Sequence, residues 1–402
     1  MRIVNPLSLD SQTSPGARRV IGLLMVAGFF LFFGFNAWSA LFNNFAVEEL
    51  SLDAQQVGWI QSLREIPGLL GFVLAWVVMI VPEMRLTGLC VILMGVGLLV
   101  TGGAGGFDDL LLGTMVMSVG FHFFDSANAS LVLTYASKES APRVLGMLGS
   151  IGAATAVAGT VAIVTLAGPL GYRLLIWLLG GVTLAGGLFV SVVGRQGATQ
   201  RVERRIVFRR RYWLYYLLTF VMGSRRHIFA TFATYLLVRR YEMPVQQMAI
   251  LFLVNSVITT LSYREVGRLT ARLGERTVLS ASFLLLVAIF TGYAYVSWLP
   301  VLLLFFVVDN VLLGTYLALN TYFQKIALSA EEITANVSVG QTINHLSAVF
   351  VPVLGGRLWD VYGHQATFMA GTVIVLLGLA LTRWLRAESA AGAEAPDVAL
   401  VP

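Results

Sequence analysis

Apolar runs of about twenty residues, long enough to cross a bilayer as helices, recur along the whole 402-residue chain. Twelve can be counted, centred near residues 33, 68, 96, 121, 154, 182, 225, 255, 287, 311, 344 and 376. Such a chain has no solvated surface to offer: 57% of its residues are hydrophobic and 12% charged. Backbone in hydrocarbon must satisfy its own hydrogen bonds, so runs of this length are expected as helices, and the class is an all-α membrane protein. The first 19 residues are polar and end in Arg18-Arg19, but Asn36, Asn43 and Asn44 stand where a small-x-small cleavage site would lie. Residues 20–46 therefore read as a retained first transmembrane helix.

The basic residues set the expected orientation. With the N-terminus inside and sides alternating at each run, twenty of the 27 Lys and Arg fall in inside segments and four outside, namely Arg173, Arg239, Arg240 and Arg357. Arg64, Arg225 and Arg226 lie within runs. This excess is the positive-inside pattern for twelve helices with both termini cytoplasmic. The segment 195–211 holds seven arginines and parts the chain six runs from six. It reads as a topology anchor against anionic membrane lipid in preference to a partner site. The placement of the arginines explains the net charge of +6 without nucleic acid. The expected organisation is a cytoplasmic tail (1–19), a six-helix bundle (20–194), the basic linker (195–211), a second six-helix bundle (212–386) and a disordered tail (387–402). Weak internal similarity, Leu131–Lys138 against Leu317–Lys325 and Gln55-Gln56 against Gln246-Gln247, points to two pseudo-symmetric halves.

One loop carries a family likeness. Gly267-Arg-Leu269-Thr-Ala-Arg272-Leu-Gly274-Glu-Arg276 is similar to the Gly-x-Leu-x-Asp-Arg-x-Gly-Arg-Arg signature of the major facilitator superfamily, with Ala271 where the aspartate usually stands. Gly355–Gly363 also looks like that family, and the resemblance covers residues 20 to about 386. It implies a secondary transporter working by alternating access, with Gly267, Arg272, Gly274 and Arg276 in a conformational loop. The first half departs from the pattern: residues after Gly71 match the signature poorly, Val116 stands where proton-coupled members often place an arginine, and Gly149–Gly159 lacks the Gly-Pro element of drug–proton antiporters.

Ionisable residues inside apolar runs are costly and mark pathways or packing contacts. Here they are Arg64, Glu65, His122, Asp125, Arg225, Arg226, His227, Asp309 and His345. All fall near the middle or outer half of their runs, as a midplane site requires. His122 and Asp125 are three apart on one helix face and form a pair able to change protonation in the physiological range; a static packing pair is the alternative. Glu65, Asp309 and His345 are further proton-coupling candidates. Arg225, Arg226 and His227 spread over about 200° of helix, so at least one of them is structural. Arg226, flanked at i±4 by Met222 and Ala230, is the preferred ligand, since guanidinium suits carboxylate or phosphate. Arg225, Arg64, Asn36 and Asn344 complete the solute-binding set. Arg64-Glu65 precedes Pro67-Gly68 and reads either as a kinked functional site or as a snorkelling pair. Equal numbers of buried arginines and acids leave full internal pairing open as well.

The expected function is proton-coupled transport of a small polar, anionic solute by a monomer in the cell (inner) membrane. The alternatives are a cation or divalent-metal exporter using His122, Asp125, Asp309 and His345, and a non-transporting receptor. Two arginine charges oppose a dication, so no metal site is expected. Neither is a cofactor: with one cysteine, Cys90, and no nucleotide loop or Ser/His/Asp motif, the chain does not read as an enzyme.

Overall fold

The structure, a computed structural model, describes residues 14–70, 81, 83–136, 140–194 and 208–385. The terminal tails, Lys138, most of the basic linker and the segment 71–80 lie outside the described residues. Among the described residues there are thirteen α-helices and no strand. They are α1 (Pro15–Asn44), α2 (Ala54–Leu63), α3 (Ile66–Leu69), α4 (Glu83–Gly103), α5 (Phe107–Tyr135), α6 (Ala141–Val193), α7 (Trp213–Tyr241), α8 (Val245–Leu273), α9 (Glu275–Tyr295), α10 (Leu299–Leu313), α11 (Tyr316–Ile326), α12 (Ala330–Tyr362) and α13 (His364–Leu381).

All twelve expected centres lie within these helices, and eight helical stretches are long and apolar enough to cross a membrane by length and composition. Local chemistry sets the ends and breaks. Asp53 caps α2 in a capping box: its carboxylate accepts the Gln56 N–H at 2.7 Å, and Gln56 Oε1 accepts the Asp53 N–H at 3.1 Å. A straight helix of the length of α6 would measure about 80 Å, far more than a bilayer core. Gly171 divides it, with φ 70° and ψ 171°, a conformation that only glycine adopts without strain.

The described residues form two compact units. The first contains those within Met1–Arg205, His227–Val257 and His345–His364. In it α4 packs against α5 and α6, and α1 against α6. Without a hydrophobic drive between helices in lipid, close backbone approach matters. At Gly95 a Cβ would come within 2.5 Å of the Leu184 nitrogen. Polar contacts tie α2 to the far end of α12, where the Ser62 hydroxyl accepts the Val353 N–H at 3.2 Å and the Asp360 carboxylate accepts the Gln55 N–H at 3.2 Å.

The second unit contains the described residues of Ile206–Arg226, Ile258–Asn344 and Gln365–Pro402. Here α9 packs on α10 and α11. Glu275, buried at the start of α9, binds Lys325 at the end of α11, with Nζ at 2.9 and 3.1 Å from its two carboxylate oxygens. Gly274, just before it, has φ 77°. The loop whose expected aspartate is replaced by Ala271 is thus held through the acid four residues on. Glu275→Gln and Lys325→Gln should each lower the thermal midpoint of the purified protein, and the double variant should lie no lower than the worse single one. Additive losses would mean that the pair does not act as a unit.

Candidate functional site

The first unit gathers the charged residues of three helical regions around one carboxylate. Pro67 in the first turn of α3 lacks an N–H and cannot be followed through by a continuous helix. The chain therefore stops at Leu63, and Glu65 falls in the break between α2 and α3, where it is 7% exposed. Arg64 Nη2 lies 3.1 Å from its Oε1. The other oxygen, Oε2, faces two imidazoles: His345 Nδ1 of α12 donates to it at 3.0 Å, and His122 Nε2 of α5 stands 3.8 Å away. The two rings meet edge to face at 5.1 Å.

A second layer holds this arrangement. The Arg64 guanidinium lies over Trp38 of α1 at 5.1 Å, a cation–π contact, and the Arg64 carbonyl accepts the Ser118 hydroxyl. Ser118 and His122 are one turn apart on α5, hence on one face. Phe35 stacks on Phe121 at 4.1 Å beside His122. A cavity of about 20 Å³, room for one water-sized group, is lined by Arg64, Glu65, Ser118 and His122 together with Phe35, Phe121 and Met117. Gly68 makes space for both imidazoles: a Cβ there would come within 2.5 Å of His345 Cε1 and 2.8 Å of His122 Cε1.

The arrangement gathers acid and base groups at one point. A carboxylate and two imidazoles lie together here, and imidazole is in general the side chain suited to exchanging protons near neutral pH. The same three residues each offer one ligand atom, all within 4.8 Å of one another, a spacing that a metal ion can bridge. The Arg64 charge on Oε1 opposes a dication there.

In the second unit, Arg225 of α7 is fully buried, and its Nη1 donates to Asp309 Oδ1 of α10 at 2.9 Å. Arg226, one residue on, is exposed. The five proton-coupling candidates do not form one group. Glu65, His122 and His345 meet, Asp309 belongs to Arg225, and Asp125 corrects the expectation of a buried His122–Asp125 pair because it is exposed. The carboxylate seen against His122 is that of Glu65, brought from another helix. Glu65 of the Arg64-Glu65 pair is buried. Asn36 is committed to packing, donating to Thr155 Oγ1 at 3.1 Å and to the Gly152 carbonyl at 3.2 Å. Asn344 is half-buried on α12. In the conformational loop, Gly267 and Arg272 lie in the last turns of α8, Gly274 in the turn, and Arg276 in the first turn of α9.

Trp38 and Ser118 escaped the sequence reading. Ser118 had a signal, its i+4 relation to His122; Trp38 had none beyond being an aromatic in an apolar run.

A family model of the Major Facilitator Superfamily matches residues 24–352. The chain belongs to the major facilitator superfamily. Among curated proteins, none matches it significantly in sequence. Among solved structures, it is similar to a bacterial homologue of the human lysosomal transporter Spinster in an inward-facing, unoccupied conformation, with TM-score 0.75, 12% identity, and coverage of 92% of this chain and 96% of that one. It is also similar to the nucleoside transporter NupG, with TM-score 0.74, 13% identity, and coverage of 91% and 99%. This member of the superfamily is therefore an integral, multi-pass membrane transporter rather than an enzyme, with the fold of secondary transporters that work by alternating access on small-molecule solutes.

Gly68→Ala should destabilise the transporter by about 1–3 kcal/mol, the usual cost of overpacking, measured by thermal or denaturant unfolding in detergent. In a His122→Ala, His345→Ala background, the same substitution should cost much less. An equal cost in both backgrounds would show that the imidazoles do not occupy the space Gly68 leaves.

Proposed function

We propose that the protein moves a small anionic solute in a proton-coupled cycle, the proton being held by Glu65, His122 and His345 and the solute by the arginines of α7. The proposed architecture behind it is twelve spans in two six-helix halves, 20–194 and 212–386, joined by the basic linker 195–211, with both termini cytoplasmic. The observation that carries the reading is the division of the Glu65 carboxylate between a permanent cation on Oε1 and two titratable rings on Oε2. Arg64 keeps one oxygen neutralised whatever the protonation state, while the other can exchange a proton with either ring. One imidazole comes from each proposed half, His122 from the first and His345 from the second, so a change in the approach of α12 alters which base holds the proton.

Coupling follows from competition for positive charge. A solute anion that engages an arginine withdraws that cation from a carboxylate, which then takes up a proton. Linkage makes the effect reciprocal: protonation favours anion binding by the same factor. Arg226, exposed on α7, is available to an incoming solute, and Arg225 is the second cation at that level. A cation or divalent-metal exporter is the second reading, supported by the clustering of Glu65, His122 and His345. Zn²⁺-dependent thermal stabilisation lost in His122→Ala, with no anion uptake, would favour it.

Proteoliposomes given a panel of organic anions should accumulate at least one of them under an imposed pH gradient and lose that dependence in Glu65→Gln. Asp125→Asn should retain it, since the exposed Asp125 has no place in the proposed relay. Indifference to pH and to Arg226→Ala would sink the reading.

A further inference from the structure

Arg225 is the largest fully buried side chain among the described residues, at 0% exposure. Its planar guanidinium presents five N–H groups. Nη1 is engaged by Asp309 Oδ1 at 2.9 Å. Nε and Nη2 are buried and meet no acceptor among the described residues. Ser224, also at 0% exposure, has its Oγ in the same condition. Native structures seldom leave buried polar groups unmet, and each that is left calls for an explanation.

The identity of the unmet atoms is informative. Nε–H and Nη2–H project in parallel from one edge of the guanidinium, the side-on fork that receives both oxygens of a single carboxylate. Asp309 holds Nη1 and leaves this edge open. The aspartate thus works as a counter-ion that fixes the plane of Arg225 without using its bidentate face. Charge then limits the guest. Arg225 and Asp309 cancel, and the exposed Arg226 brings the three side chains to a single net positive charge, so a monoanion neutralises the set and a dianion overshoots it.

We infer that the solute is a monocarboxylate whose two oxygens are taken by Nε and Nη2 of Arg225, with Asp309 as the fixed counter-ion. This deepens the anionic-solute reading and rests on it. It also shifts the principal ligand from the exposed Arg226 to Arg225. The fork is closed off from solvent here, so the solute enters it in another conformation of the alternating-access cycle.

The test uses the purified full-length protein with benzoate and lactate as monocarboxylate probes, succinate as a dianion and benzamide as an uncharged analogue of benzoate. Binding is read by ligand-dependent thermal stabilisation and by counterflow in proteoliposomes. Wild type should bind a monocarboxylate at least about tenfold more tightly than succinate or the amide, a factor of ten being about 1.4 kcal/mol. Arg225→Lys keeps the charge facing Asp309 but loses the fork; it should bind the monocarboxylate at least about tenfold more weakly. Arg226→Lys should change binding by no more than about fivefold, the worth of an exposed charge. Asp309→Asn leaves the fork intact and raises the net charge, so it should shift preference toward succinate. That change of selectivity is not produced by a merely structural pair, and it can be read even if Arg225→Lys does not fold. Unchanged monocarboxylate binding in Arg225→Lys, or unchanged selectivity in Asp309→Asn, overturns the assignment while leaving the anion reading intact. Uptake of the amide by wild type with no carboxylate bound overturns the anion reading itself.

Discussion

A carboxylate buried in a membrane helix bundle must be matched by positive charge or lose its own, and the local structure around Glu65 is arranged to match it. The interruption between α2 and α3 that places Glu65 there is the work of Pro67. The room for its imidazole partners exists because residue 68 has no side chain, the guanidinium on its other oxygen lies over Trp38, and Ser118 bonds the Arg64 main-chain carbonyl. Each of these supports is a small, local property of the sequence. Together they bring α1, α5 and α12 to one point. Partnering of this kind is weak evidence of stability, because a well-packed apolar core does as well or better.

The fold was largely legible because bilayer thickness imposes a length on every apolar run, and each predicted centre lies on a helix. What hydropathy could not place were the interruptions. The second run is cut at Arg64-Glu65, α6 turns at Gly171, and the run centred near 311 divides between α10 and α11. The first two breaks depend on a single proline or glycine, which a window of twenty residues averages away.

The candidate site was legible as a list and not as a set of pairs. All the buried ionisable residues could be named from the chain, since charge inside an apolar run is conspicuous. Their partnerships could not, because the only pairing signal in a single sequence is helical spacing. That signal joined His122 to Asp125, three residues away, while the carboxylate that His122 faces belongs to Glu65, and the ring that completes the group, His345, lies 280 residues from Glu65. The choice between Arg225 and Arg226 is left open by the sequence for a related reason. Neighbouring residues on a helix differ by about 100° in direction, and without the phase of α7 nothing in the sequence says which one faces protein.

Glu65 and Asp309, two of the buried acids, differ in their partners. Glu65 shares its oxygens with an arginine and two imidazoles, so a proton arriving there has alternative bases a few ångströms apart. Asp309 has Arg225 as its ionic partner, and a guanidinium does not give up its proton. The first group therefore sets several acid–base groups side by side, whereas the second pairs one carboxylate with a permanently charged guanidinium. Under the proposed proton-coupled anion cycle, the first group would carry the proton and the second would set the counter-charge for the anion, the acids being supplied by the α2–α3 break and by α10.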